Sequence, residues 1–126
     1  MERKGFRDLD SQALFEAPIV VVSHGAEADP ILNYGNRTAL MLWELTWEQL
    51  LAMPSRLTAE PVNRAERERL LEAARRHGYY EGYRGVRITS SGRRFLVENA
   101  LVWTVLDPSG NRVGQAATFS TWRWLA

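Results

Sequence analysis

Ser23-His24-Gly25-Ala26-Glu27-Ala28-Asp29-Pro30-Ile31-Leu32-Asn33-Tyr34-Gly35-Asn36 is the stretch whose reading decides the fold. Ahead of it, Ile19 to Val22 is a β-branched run that predicts a short buried strand. Gly25 can take backbone angles closed to other residues, and Asp29-Pro30 forms turns because proline fixes φ and offers no donor. Ile31 to Tyr34 predicts a second short strand. Asn36 then stands at a helix N-cap, where its side chain accepts a bond from a free helical amide. Strand, turn, strand and capped helix in so short a span imply an α+β domain.

Outward from this stretch, Phe6, Leu9, Ala13 and Leu14 mark a weakly amphipathic helix over 6–15. The chain then divides into a helical cap over 1–16 and a main domain over 17–126. Arg37 to Leu45 is apolar nearly all round, which predicts a helix buried on more than one side. Thr46-Trp47-Glu48-Gln49 matches a capping box and opens a second short helix that stops before Pro54. Residues 55–61 show no periodicity and read as loop. Asn63 and Glu66 form a looser capping box for a third helix, ended by Gly78. Its Arg/Glu surface reads as a solvated face.

Beyond Tyr79 the period becomes two. Strands are predicted over 83–89, 94–106 and 112–124, giving a five-stranded antiparallel sheet with helices packed on one face. Ser90-Ser91-Gly92 and Asp107-Pro108-Ser109-Gly110 are the hairpin turns. With a three-residue second turn, Val86, Ile88, Phe95, Val97, Asn99, Leu101, Trp103, Val105, Val113, Gln115, Ala117 and Phe119 share the inner face. Buried amides without partners cost roughly 1–3 kcal/mol, so Asn99 and Gln115 need backbone, water or a bound molecule. Leu96, Ala100, Val102, Leu106, Ala116, Trp122 and Trp124 fall on the other face, an apolar patch larger than a lone monomer exposes. The N-terminal helix and a second copy of the chain are both expected to contribute to covering it, giving a homodimer built on sheet and N-terminal helix.

With 126 residues, 45% of them hydrophobic and 25% charged, the chain has the make-up of one globular domain. A formal charge of +1 argues against a dedicated nucleic-acid binder, and Arg75-Arg76-His77-Gly78-Tyr79-Tyr80 fits helix end and strand better than a binding patch. No cysteine is present, which removes disulfides, thiol catalysis and cysteine-adduct flavin photochemistry. No signal-peptide core or bilayer-length apolar run occurs, so the expected location is cytoplasmic, without membrane attachment.

The sequence resembles the MEKHLA domain, a relative of the PAS sensory fold. The resemblance rests on Ser23-His24-Gly25, Asp29-Pro30, Asn33-Tyr34-Gly35-Asn36-Arg37, Pro54-Ser55-Arg56-Leu57 and Ala59-Glu60-Pro61. It continues through Gly82-Tyr83, Gly85-Val86-Arg87-Ile88, Gly92-Arg93-Arg94-Phe95, Val102-Trp103 and Gly114-Gln115-Ala116-Ala117. These words run in order from about residue 14 to 124, and the resemblance is to the stand-alone bacterial type. The resemblance implies a PAS-like fold, sensing and protein–protein regulation, with no settled ligand or activity. The family's plant members carry a homeodomain and zipper, which these residues lack, so a role in transcription is not carried over.

The expected function is therefore a regulatory sensor or interaction module, not an enzyme, with a small apolar cavity between sheet and helices. Asn33, Trp43, Asn99, Trp103, Gln115 and Phe119 are the candidate lining for a small apolar or aromatic ligand. Arg56, Glu60 and Arg87 are the candidate polar anchors, against a simpler role pinning the loop before the third helix. Phe6, Leu9, Leu96, Val102, Trp122 and Trp124 are the candidate homodimer interface. Two alternatives stand beside this reading, a pure dimerisation module with a filled core and an enzyme using Glu60 or His24. Ser23, His24 and Asp29 do not make a triad, because adjacent strand residues face opposite ways. Two histidines without ligand spacing give no metal site, and His77 in a last helical turn is explained by the helix dipole without haem.

Overall fold

A computed structural model describes residues 11–59 and 64–125 of the chain. Phe6, Leu9, Glu60 and the Asn63 end of the looser capping box lie outside the described residues. Residues 11–16 are helical (α1), followed by β1 (Val20–His24), β2 (Leu32–Gly35), α2 (Arg37–Trp43) and α3 (Trp47–Leu50). A 3₁₀ turn (Ser55–Thr58) and α4 (Arg64–His77) lead into β3 (Tyr79–Ile88), β4 (Arg94–Leu106), β5 (Arg112–Phe119) and β6 (Thr121–Trp124). The fold is α+β: an antiparallel sheet in the order β2-β1-β5-β4-β3, with β6 also paired to β4 and helices packed on one face. Among the described residues no helix is long and apolar enough to cross a membrane.

Local rules account for most boundaries. Asn36 is fully buried and its Oδ1 accepts from Ala39 N, capping α2, and from Val21 N, both at 3.1 Å. Its Nδ2 donates to the carbonyls of Leu14 and Ile19, so one amide ties α1, β1 and α2 together. Thr38 and Arg37 extend that seam to Ala17 O and Glu16. Glu44 ends α2 in the left-handed region, the capping box of Thr46 and Gln49 is complete, and Gly78 at φ 92° follows α4. The stretch after Pro54, read from sequence as loop, forms the 3₁₀ turn.

The sheet departs from simple alternation at one level. On β4, Phe95 and Val97 face the core, and so do Ala100 and Val102. The change of parity falls at Asn99, which is exposed and left-handed at φ 57°. β3 makes a matching change at Gly82, φ 77°, between Tyr80 and Tyr83, so the two bulges offset each other and the register recovers at Gly85↔Val97. The C-terminal strand breaks at Ser120 opposite Asn99, and parity changes there again. Such bulges re-aim side chains rather than merely bending a strand.

Three assignments from regular alternation are therefore corrected. Asn99, Leu101, Trp103 and Val105 leave the inner face, while Ala100 and Val102 join it. On β3 the inward residues are Tyr83 and Arg87, paired with Ala100 and Phe95, and not Val86 and Ile88. Trp122 and Trp124 turn to the helix side, edge-on to Phe119 at 5.9 Å and to Phe95 at 5.6 Å. Trp43, Phe95 and Phe119 make the aromatic centre, with ring separations of 5.4 and 6.1 Å from Trp43. Of the residues assigned to the outer face, Leu96 and Ala116 remain there, joined by Leu101 and Trp103.

Candidate functional site

Beside the aromatic centre the core is incompletely filled. A cavity of ≈ 80 Å³ lies between the sheet and the helices, bounded by Trp43 of α2, Ser55 and Thr58 of the 3₁₀ turn, and Arg67 and Leu71 of α4. Its sheet wall is built from Val22 and His24 of β1, Tyr83 and Arg87 of β3, Val97, Ala100 and Val102 of β4, and Gln115, Ala117 and Phe119 of β5. Ligand pockets for drug-sized molecules run to roughly 300–1,000 Å³. An isoalloxazine or porphyrin therefore does not fit this cavity as the side chains shape it.

The polar groups around the cavity are only partly satisfied. Gln115, 2% exposed, donates from Nε2 to Leu71 O at 3.3 Å, while its Oε1 has no partner. Trp43 Nε1 and Arg87 Nη1 are likewise buried without partners. The Arg87 guanidinium lies 5.2 Å above the Tyr83 ring, a cation–π contact that only partly replaces lost water. Burial pulls its pKa down, with Tyr83 acting the other way. Arg67 donates from Nη2 to Ser55 Oγ at 2.7 Å, and Ser55 O in turn accepts from Thr58 Oγ1. Burial lowers the Arg67 pKa, and the like charge of Arg87 lowers it further. Guanidinium remains protonated through such shifts, so both stay cationic.

His24 completes this wall. Its Nδ1 lies 2.8 Å from Gly25 O, and because a carbonyl can only accept, Nδ1 carries the proton in the neutral ring. Burial lowers the His24 pKa, the Gly25 bond opposes that, and Arg67 and Arg112 add to the lowering. The sequence neighbours that suggest a triad are dispersed. Ser23 Oγ bonds Asn33 Oδ1 at 2.6 Å, and Asp29 receives Arg56 Nε at 3.2 and 3.3 Å on the surface.

Of the residues singled out from sequence, Trp43, Gln115, Phe119 and Arg87 meet at the cavity. Asn33 is exposed on β2, and Asn99 and Trp103 are carried away from the cavity by the Asn99 bulge. Arg56 is spent on Asp29. His77 is exposed at the end of α4. Val102, assigned to the interface, lines the cavity instead. Arg67 is the principal residue that the sequence reading passed over, since its helix was taken as a solvated Arg/Glu face. The signal was its spacing: Arg67, Leu71 and Ala74 stand at i, i+4 and i+7, on the apolar stripe of α4.

Solved structures share this architecture at low identity. The PAS domain of a protein from Colwellia psychrerythraea superposes with a TM-score of 0.78 at 14% identity, covering 95% of this chain and 97% of that one. A PAS domain from a two-component sensor histidine kinase gives 0.74 at 21% identity, covering 99% and 100%. A light-oxygen-voltage domain studied with a flavin analogue gives 0.70 at 13% identity, covering 94% and 85%. These likenesses establish the fold. Among curated proteins, nothing matches. The sequence profile of the MEKHLA domain matches residues 1–124, and the chain accordingly belongs to the MEKHLA domain family, on a PAS-like fold.

Proposed function

We propose that this domain is a PAS-like sensory module that holds a small molecule in the cavity between sheet and α4. The observation that carries the reading is the set of buried polar atoms left without partners among the described residues around that space: Gln115 Oε1, Arg87 Nη1 and Trp43 Nε1. A core built only for stability satisfies or omits such groups, because each orphan costs roughly 1–3 kcal/mol. Homodimerisation through the outer sheet face is part of the proposal, resting on Leu101 and Trp103, half-buried residues that the Asn99 bulge turns to that face beside the buried Leu96. A second reading, an interaction module without ligand, is favoured by the small volume of ≈ 80 Å³.

Native mass spectrometry of the purified protein, compared with its denatured mass, separates these readings. A mass excess that disappears on denaturation is the expected result for the sensor. A bare protein whose orphan atoms are bridged by ordered water supports the second reading. A monomer at micromolar concentration removes the dimer from the proposal.

A further inference from the structure

The proposal that a small molecule occupies the cavity leaves its chemistry open, and the charges around the space narrow it. Arg67 and Arg87 come from opposite layers, one from α4 and one from β3; burial lowers the pKa of each, and the like charge of Arg87 lowers that of Arg67 further. Among the described residues no aspartate or glutamate lines the cavity. Among the described residues, Arg67 pairs with Glu68 at 3.7 Å, and that carboxylate is 72% exposed. Arg87 has an aromatic face and a buried Nη1 without an acceptor. Among the described residues, a buried arginine and a half-buried one with no interior anion carry an uncompensated desolvation cost.

The rest of the wall is apolar: Val97, Ala100, Val102, Trp43 and Phe119. A cavity of about 150 Å³ lined by aliphatic and aromatic residues accepts benzene. One of ≈ 80 Å³ is about half that, room for roughly three to six non-hydrogen atoms. We infer that the cavity binds a short-chain aliphatic carboxylate, its oxygens on the Arg87 and Arg67 guanidinium groups and its carbon chain against Val97, Ala100 and Val102. Arginine forks match carboxylate geometry in two parallel bonds, which a point-charge anion such as chloride does not use. The inference rests on the ligand-binding reading above and can fail without it.

The test is a titration of the ¹⁵N-labelled protein, freed of bound small molecules by unfolding and refolding, with acetate, propanoate and butanoate. Parallel titrations use propanamide, 1-butanol and inorganic phosphate. The expected result is saturable shifts at Val97, Ala100 and Val102 with the carboxylates, strongest at three or four carbons, with a Kd no tighter than roughly 10 µM for so few atoms. The neutral isosteres should bind at least about tenfold more weakly, and Arg87→Gln should remove that difference. Arg87→Lys keeps the charge without the fork and should retain only part of the affinity, which guards against a Gln variant that fails to fold.

Binding of propanamide or butanol as tight as that of propanoate overturns the carboxylate while leaving a ligand-binding cavity. Phosphate alone binding overturns the carbon chain. Binding by none of these probes removes both the inference and the reading beneath it. Binding that emerges only in Glu60→Gln identifies the chain's own carboxylate as the occupant and overturns the inference.

Discussion

The two ends of the interior are built on different terms. At one end Trp43, Phe95, Phe119 and Trp122 pack edge to face, with Trp124, 42% exposed, at the rim and Phe95 wholly excluded from solvent. At the other, Arg67, Arg87, His24 and Gln115 surround an unfilled space with polar atoms unpaired. Apart from the Trp43 indole N–H, the rings give area and close contact without needing hydrogen-bond partners, so the first end supplies stability. The second gives some of it up. Cores are dense enough that such a lapse, side by side with well-packed rings, signals a requirement other than folding.

The contrast can be broken by substitution. Phe95→Ala should produce the largest change, a loss of about 3–5 kcal/mol in urea unfolding, because the removed ring is fully buried and shared by Trp43 and Trp124. A loss under 1 kcal/mol would mean the aromatic end is as loose as the other. Arg87→Met should have the opposite sign, with unfolding free energy unchanged or raised by up to about 1 kcal/mol, since a half-buried guanidinium whose Nη1 has no partner among the described residues gives way to an apolar chain. A marked loss would show that the guanidinium supports the fold, and the contrast would collapse.

The smallest effect is one of pH. His24 has a folded pKa below its ordinary 6.5, so between those values the unfolded chain binds more protons than the folded one. Stability therefore rises with pH through that window and falls as pH drops below 6.5. Chemical denaturation from pH 7.5 down to 5 should show this slope, and His24→Asn should flatten it. An unchanged slope would place the acid sensitivity elsewhere.

Much of the fold is legible in the sequence because its punctuation is local: the Asn36 cap on Ala39, Thr46 with Gln49, Gly78 and the two hairpin turns each act within a few residues. The faces of the sheet are harder. Alternation from Phe95 places Gln115, Ala117 and Phe119 inward, and inward they are, but by two irregularities that cancel. Asn99 inverts β4, and a register shift at Val105/Leu106 inverts the pairing back. Residues between the two irregularities, Leu101 and Trp103, take the uncompensated error, as do Trp122 and Trp124 beyond Ser120. Nothing in the residue types around Asn99 announces a left-handed angle, although asparagine tolerates one better than its neighbours do. Arg67 was obscured for another reason: an arginine in a run of charges reads as surface until its place on the apolar stripe is counted.

Gly82, Asn99 and Ser120 have a consequence for how such a sequence can vary. Each inverts the parity of its own strand, yet together they keep the pairing across β3, β4 and β6 in step. A relative that lost one of them alone would present half a strand wrong side out to the core. The three positions are thus expected to be inherited as a set, gained or lost in one compensated change. A sequence alignment that slides a gap through any one of them misassigns every residue downstream to the opposite surface of the sheet.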